Sequence, residues 1–451
     1  MTASQSAEPR LRQSDLFAAG AQRLVYDDAV ALTLASLQAY GPTHPHWCVA
    51  WSGGKDSTAT LTLVIHLIET GQIARPETLT VYYADTRQEL PPLALAAAEI
   101  MAQLARYPWI RMRVVTAPLD KRFLVYILGR GVPPPNNNTL RWCTRQIKVD
   151  PMAAAIAADL DPDPPPPQAL DTRIAGPDFV AVVPESTPYD PATVLMITGV
   201  RQGESAIRDK RIEMSCSKDG AECGQGWYQQ VLPNAKSVRG RIATLAPILH
   251  WRVCNVWDWL KIYAPHPDYG GWSTSRIANA YGGDEAEELN ARTGCCGCPL
   301  ASKDLALDRI VADPAWDHYA PLKRLKPIYR ALRSPKNRLR KPGGETRKGK
   351  RKGERVLVEN QQRMGPLTFK ARLWALGEIL AIQAEVNAAA EALARPGLDL
   401  LNAEEEARIR ELIAAGTWPQ GWDGDEPTAD VPMDAVFSDG SVQPLLIGAL
   451  S

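Results

Sequence analysis

Residues 46–58 read HWCVAWSGGKDST. Trp47 to Trp51 is short, apolar and rich in strand formers, and residues 58–70 (TATLTLVIHLIET) carry apolar side chains at helical spacing until Gly71 stops them. The loop therefore lies between a strand and the N-terminus of a helix expected over 58–70. Free backbone N–H groups and the helix dipole favour an anion at such a place, and Gly53 and Gly54 let the backbone approach it closely. Ser52 and Ser57 add hydroxyl donors and Lys55 adds a positive charge. A tight turn with an N-cap would need no more than Ser-Gly-Gly, and the string is longer than that. It is not a Walker A loop, which places four residues between its first glycine and Gly-Lys-Ser/Thr.

Outward from this loop the pattern alternates. Residues 1–45 are a partly helical lead-in with a helix in VYDDAVALTLASLQAY. After the first strand and helix come a strand at 79–85, a helix at 93–107, a strand at 110–117 and a buried strand at 194–201. This succession predicts an α/β fold, a parallel twisted sheet with helices on both faces, and in such sheets ligands bind beyond the carboxyl ends of the strands. Residues 161–168 (DPDPPPPQ) read as a stiff insert, and 246–264 predicts a helix with Trp257 and Leu260 on its apolar face. A mainly helical, basic C-terminal part follows, with a helix over 367–394 and an expected mobile run at 341–353. The expected divisions are 1–45, 46–300, 301–415 and an acidic, Pro/Gly-rich tail at 416–451.

The chain has 451 residues, 45% hydrophobic and 23% charged, which is ordinary for a soluble globular protein. No stretch has the uninterrupted apolar length of a membrane span, and the first residues lack the apolar core of a signal peptide, so a cytoplasmic location without membrane partners is expected. The formal net charge is zero, yet residues 323–355 hold 15 Lys/Arg against two acids. Such a segment, with Tyr329 and several Pro and Gly within it, reads as a flexible polycation able to release counterions from a nucleic-acid backbone.

Four further stretches carry chemistry. Asp85 and Thr86 close the second strand and are placed to contact nucleotide or metal. In Arg141-Trp-Cys-Thr-Arg-Gln-Ile-Lys148 the neighbouring Arg141 and Arg145 favour the Cys143 thiolate. GVRQGESAIR (199–208) offers Arg201, Glu204 and Arg208, and arginine forks suit phosphate. TGCCGCPLA (293–301) sets Cys295 and Cys298 at C-x-x-C spacing, which can bind zinc or an iron–sulfur cluster or act as a redox dithiol. Cys216 and Cys223 form a second pair, so a four-thiolate site is available, while Cys48 and Cys254 read as core residues.

SGGKDST resembles the PP-loop of the ATP pyrophosphatase superfamily, which implies the adenine nucleotide alpha hydrolase-like fold and cleavage of ATP to AMP and pyrophosphate. By that resemblance Ser52, Gly53, Gly54, Lys55, Asp56 and Ser57 hold the pyrophosphate end of ATP, and Lys55, Asp56 and Arg201 carry catalysis.

 

Asp85-Thr86, Arg-Trp-Cys at 141–143 and Gly-Val-Arg-x-x-Glu-Ser at 199–205 are similar to elements of the phosphoadenylylsulfate (PAPS) reductase branch, although Trp142 stands where iron–sulfur adenylylsulfate reductases have a cysteine. The order of these motifs over 46–300 most resembles the ATP pyrophosphatase of DNA phosphorothioation systems (DndC/SspD type). That resemblance implies ATP with Mg²⁺, contacts from Asp85, Thr86 and Arg208, and a [4Fe–4S] cluster on Cys143, Cys295, Cys298 and a fourth thiol. Cys223 is preferred over Cys216 or Cys296 as the fourth ligand, and zinc is the alternative metal. It also implies DNA, a cysteine desulfurase and other phosphorothioation proteins as partners. An adenylylsulfate or PAPS reductase and a non-catalytic ATP- and DNA-binding subunit are the rival readings.

Overall fold

A computed structural model describes residues 25–136, 141–160, 193–203, 209–210, 212, 227–229, 242–281, 295–348 and 354–445. The stiff insert at 161–168, Glu204, Arg208, Cys216 and Cys223 lie outside these residues.

Six strands form the main sheet: β1 (His46–Trp51), β2 (Thr78–Asp85), β3 (Ile110–Thr116), β4 (Val194–Thr198), β5 (Trp227–Gln229) and β6 (Ala243–Ala246), in the order β3-β2-β1-β4-β6-β5. All neighbours are parallel except the edge strand β5, which runs antiparallel to β6. β1 has β2 on one side and β4 on the other, with Trp47 opposite Leu79 and Leu195. The chain thus leaves β1 and β4 at the same end of the sheet, where the winding changes direction and a crevice opens.

Alternation along β1 serves two cores. Trp47, Val49 and Trp51 join the larger one, while Cys48 packs with Tyr82, Met196 and Ile156 on the other face beneath the helix Asp150–Leu160. The helix Lys55–Glu69 is buried along most of its length, including Thr58, Thr60 and Thr62. Its threonines survive burial because Thr60 Oγ1 donates to the Asp56 carbonyl (2.9 Å) and Thr62 Oγ1 to that of Thr58 (2.8 Å). The indoles of Trp51 and Trp259 donate to Thr58 Oγ1 (2.9 Å) and Thr62 Oγ1 (2.8 Å), tying the helix to the strand and to the segment packed outside it.

This helix begins at Lys55, three residues before the expected start, because Gly54 takes the N-cap position and Ser57 Oγ donates back to its carbonyl (3.1 Å). Lys55, Asp56 and Ser57 therefore occupy the first turn and not the loop. The helix expected over 246–264 starts only at Val253: residues 247–250 turn, and the Asn255 side chain accepts from the Arg252 N–H (2.9 Å). Trp257 and Leu260 are buried, as expected, but Cys254 is exposed and is no core residue.

The basic segment also differs from the flexible polycation expected. Residues 325–332 form an amphipathic helix whose Tyr329 is buried against Phe123. Thr346–Lys348 pairs with Arg355–Leu357 in an antiparallel ladder, so the run expected to be mobile is in part strand, with 349–353 outside the described residues. Several cations are already committed: Lys323 to Asp308 (2.8 Å), Arg324 to Glu385 (2.5 Å), Arg347 to Glu359 (3.1 Å) and Lys341 to Glu426 of the acidic tail (2.5 Å).

One continuous core runs from Ala29 to Leu412 and includes the long helix Phe369–Ala392. In that helix the buried Arg372 donates to the carbonyls of Leu367 (3.0 Å), Gly129 (3.3 Å) and Thr417 (2.8 Å) and packs against the contacting rings of Phe369 and Trp418. Burial pushes its pKa down to about 9, which leaves it charged at neutral pH. Replacing it strands three carbonyls that join the sheet domain, the long helix and the tail. Arg372→Ala is expected to lower stability by about 2–4 kcal/mol in urea unfolding and to speed proteolysis of the tail after Thr417; an unchanged midpoint would contradict this role.

Candidate active site

The site is built at the carboxyl ends of β1 and β4. Gly53 sits at φ +70°, a conformation that disfavours a side chain, and a Cβ there would stand 3.3 Å from Tyr83 and Ala97. Gly199, just after β4, approaches the start of the helix so closely that a Cβ would lie 2.7 Å from the Ser57 backbone nitrogen. Ser57 Oγ accepts from the Ser52 N–H (3.2 Å) and lies 3.0 Å from Ser52 Oγ, which closes the loop on itself.

Asp56 joins the two segments. Its Oδ2 accepts from Lys55 Nζ (3.0 Å) and its Oδ1 from Arg201 Nε (2.5 Å). All three side chains are largely buried, so the carboxylate holds two cations beside the glycine loop where water screens them poorly. The triad carries one net positive charge and favours an anion. Tyr281 completes it, with its ring 5.1 Å from Lys55 Nζ and its hydroxyl accepting from the Lys55 N–H (3.4 Å).

A cavity of about 550 Å³ opens from the loop. Ser52 to Ser57 line one part, and Arg141, Lys148, Cys143, Cys295 and Cys298 line another. The structure thus brings the phosphate loop and three of the four cluster candidates to one space. Arg201 reaches the site through Asp56. Asp85 and Thr86 do not line this cavity: Asp85 accepts from the Arg87 N–H (2.8 Å), and Thr86 donates to Glu89 (2.6 Å), which does line it. Their role here is to shape the turn after β2.

Cys143 and Cys295 are harder to ionise than the flanking arginines suggested. Burial pushes the Cys143 pKa up, outweighing the smaller opposite effect of Arg141, while Arg145 turns to Asp150 (3.1 Å). Burial likewise pushes Cys295 up to about 12. Cys296 is buried, donates to the Glu89 carbonyl (3.4 Å) and is absent from the cavity wall. Thiol donors suit zinc or an iron–sulfur cluster, but among the described residues no group of three or more His, Cys, Asp or Glu is assembled to hold a metal ion.

Sequence reasoning missed Tyr281 and Tyr83, which carry no local signal because their roles arise from packing across long sequence separations. The contact made by Gly199 was equally hidden, although the glycine itself stood in a motif of interest.

Fold and site together define an α/β protein that presents an anion-favouring glycine loop at the carboxyl ends of its parallel strands. Residues 46–263 match the family model of the phosphoadenosine phosphosulfate reductase domain, and the chain therefore carries a PAPS-reductase-like domain over that span. Cys295 and Cys298 lie beyond the matched residues yet line the same cavity. No curated protein matches the chain. No helix among the described residues is long and apolar enough to cross a membrane.

Two measurements test this geometry. Gly199→Ala is expected to displace the helix start, weaken anion binding at the glycine loop more than about tenfold and cost about 1–3 kcal/mol, whereas Gly377→Ala, with open space around it, is expected to be neutral or slightly stabilising; calorimetric titration with pyrophosphate and urea unfolding read both. In metal-free folded protein, iodoacetamide is expected to label exposed Cys254 first. Cys295 should remain slow at about pH 8 and accelerate past about pH 10, because its thiol ionises later than an ordinary one. Equal labelling of Cys295 and Cys254 at the lower pH would contradict the burial of this thiol.

Proposed function

We propose that this protein is an ATP pyrophosphatase that adenylates a DNA backbone phosphate to activate it for sulfur incorporation in phosphorothioate modification. The observation that carries the reading is the shared cavity: the glycine loop with Lys55 and Asp56, the latter gripped from behind by Arg201, at one part, and Arg141, Lys148 and three cysteines at another.

The loop N–H groups, Ser52, Ser57 and Lys55 bind the β- and γ-phosphates, with Mg²⁺ supplying further charge neutralisation when bound. A non-bridging oxygen of the acceptor phosphate attacks the α-phosphorus, the bond from that phosphorus to the bridging oxygen breaks, and pyrophosphate leaves with the electron pair. Lys55 and Arg201, oriented by Asp56, stabilise the charge that grows on the leaving group. Arg141 and Lys148 offset the charge of the incoming anion. Cys143, Cys295 and Cys298, with Cys223, would hold a [4Fe–4S] cluster or zinc; the terminal persulfide sulfur of a cysteine desulfurase would attack the activated phosphorus and displace AMP, and a thiol would then cleave the S–S bond, leaving the sulfur on phosphorus and departing with the desulfurase sulfur as a disulfide.

The match to a PAPS reductase domain favours one second reading, sulfonucleotide reduction. Against it, Trp142, which stands in place of a cysteine, packs its ring against Phe123 and Tyr126 and donates to the Pro133 carbonyl (3.2 Å).

Anaerobically purified protein with Mg²⁺, DNA, a sulfur-donor partner and α-labelled ATP is expected to release AMP and pyrophosphate. Lys55→Ala and Asp56→Ala should each cut release by at least about 10²-fold. Release of ADP and phosphate, or of nothing, sinks the proposal, and adenylylsulfate-dependent thiol oxidation in its place supports the reductase.

A further inference from the structure

A second cavity, of about 620 Å³, lies between the 126–136 segment and the C-terminal part. Its wall holds Arg333, Arg338 and Arg363 together with Tyr126 and Trp422, and none of its lining residues is acidic. Crowding like charges in a partly buried space is unfavourable unless something anionic offsets it. Among the described residues, the ion pair that offsets this charge is a loose one, of Arg363 with Glu345 at 3.7 Å. Burial lowers the pKa of Arg333 and Arg338, and the two guanidinium groups add to each other's cost at Arg338.

The arginines also hold the walls. Arg338 donates to the carbonyls of Gly365 (2.9 Å) and Met364 (3.1 Å), and Arg333 donates to those of Pro135 and Pro299. Backbone stapling explains their positions but leaves charge uncompensated, because carbonyls are neutral. A guanidinium has five N–H donors, and Arg333 Nε is buried without a hydrogen-bond partner. The cavity also adjoins the first one: Pro299, which Arg333 grips at 2.9 Å, follows Cys298 in the chain.

We propose that this second cavity binds the phosphodiester backbone of a single polynucleotide strand, using the three arginines for phosphates and Trp422 and Tyr126 as ring surfaces for bases. This rests on the reading that the acceptor is a polynucleotide phosphate. Arginine forks beside aromatic rings are the combination that binds single strands without strong sequence preference. A concave pocket admits one strand more readily than a duplex. The strand would reach the catalytic cavity past Pro299 and Arg141.

Fluorescence anisotropy on the full chain, without ATP and across a salt series, tests the proposal with labelled single-stranded DNA, the same sequence as RNA, and duplex DNA. Single strands should bind best. Arg363→Gln and Arg338→Gln should each weaken binding about tenfold and reduce the salt slope by about 0.7. Arg347→Gln, on a strand outside the cavity, should change little. Arg338 pins a strand, so Arg363→Gln, whose side chain is half exposed, is the variant that preserves the fold. A preference between DNA and RNA identifies the source of the strand.

Absence of binding, preference for duplex, or parental affinity and slope in both cavity variants would overturn the proposal. So would displacement of the strand by inorganic phosphate or AMP at comparable affinity, which would make this a small-anion site. Pyrophosphate release measured separately on the same proteins keeps the two readings distinguishable: release with unaltered binding in the variants defeats only the cavity, and variant-sensitive binding without release defeats only the pyrophosphatase.

Discussion

The carboxylate of Asp56 accepts Lys55 on one oxygen and Arg201 on the other, and this ion triad joins the segments that leave β1 and β4. The two strands are parallel neighbours, so their exits lie side by side, and the missing side chain of Gly199 lets the backbones touch. The phosphate loop can then be rigid before any ligand arrives. Preorganised charge of this kind stabilises a transition state without reorganisation at the moment of reaction. Burial strengthens the triad and also makes it costly to break, because removal of one partner leaves an uncompensated charge.

The C-terminal part is a structural component of the same body. Its long helix shares the core of the sheet domain, and the acidic tail folds back over the basic segment, with Leu339 bridging to Thr428 and Lys341 pairing with Glu426. A charge census by sequence position could not foresee all of this neutralisation, since Glu426, which meets Lys341 alongside the local Glu345, lies far along the chain. Arg333, Arg338 and Arg363 stand together in a cavity wall that no acid lines.

Much of the central fold was legible because it depends on local pattern. Strand β1, the glycine loop and the following helix are set by neighbouring residues, and their alternation with β2 and β3 points to parallel winding. The errors came where side chains compete with propensity. The helix start moved because the Gly54 carbonyl already accepts the first helical bond, from the Thr58 N–H, and the expected ionisation of Cys143 reversed because burial outweighs the nearby Arg141. Cys254 looked like a core residue by composition, yet its helix turns it outward.

By itself the sequence determined the strand–loop–helix, the residue types gathered in it and the direction of the sheet, because these follow from dihedral preferences and periodicity over a few residues. Only the tertiary structure decided that Arg201 grips Asp56, that Tyr281 covers Lys55, that Cys143, Cys295 and Cys298 line the cavity of the phosphate loop, and that Tyr329 is core. Those relations join residues far apart in the chain, and distance, burial and charge compensation exist only after the chain has closed on itself.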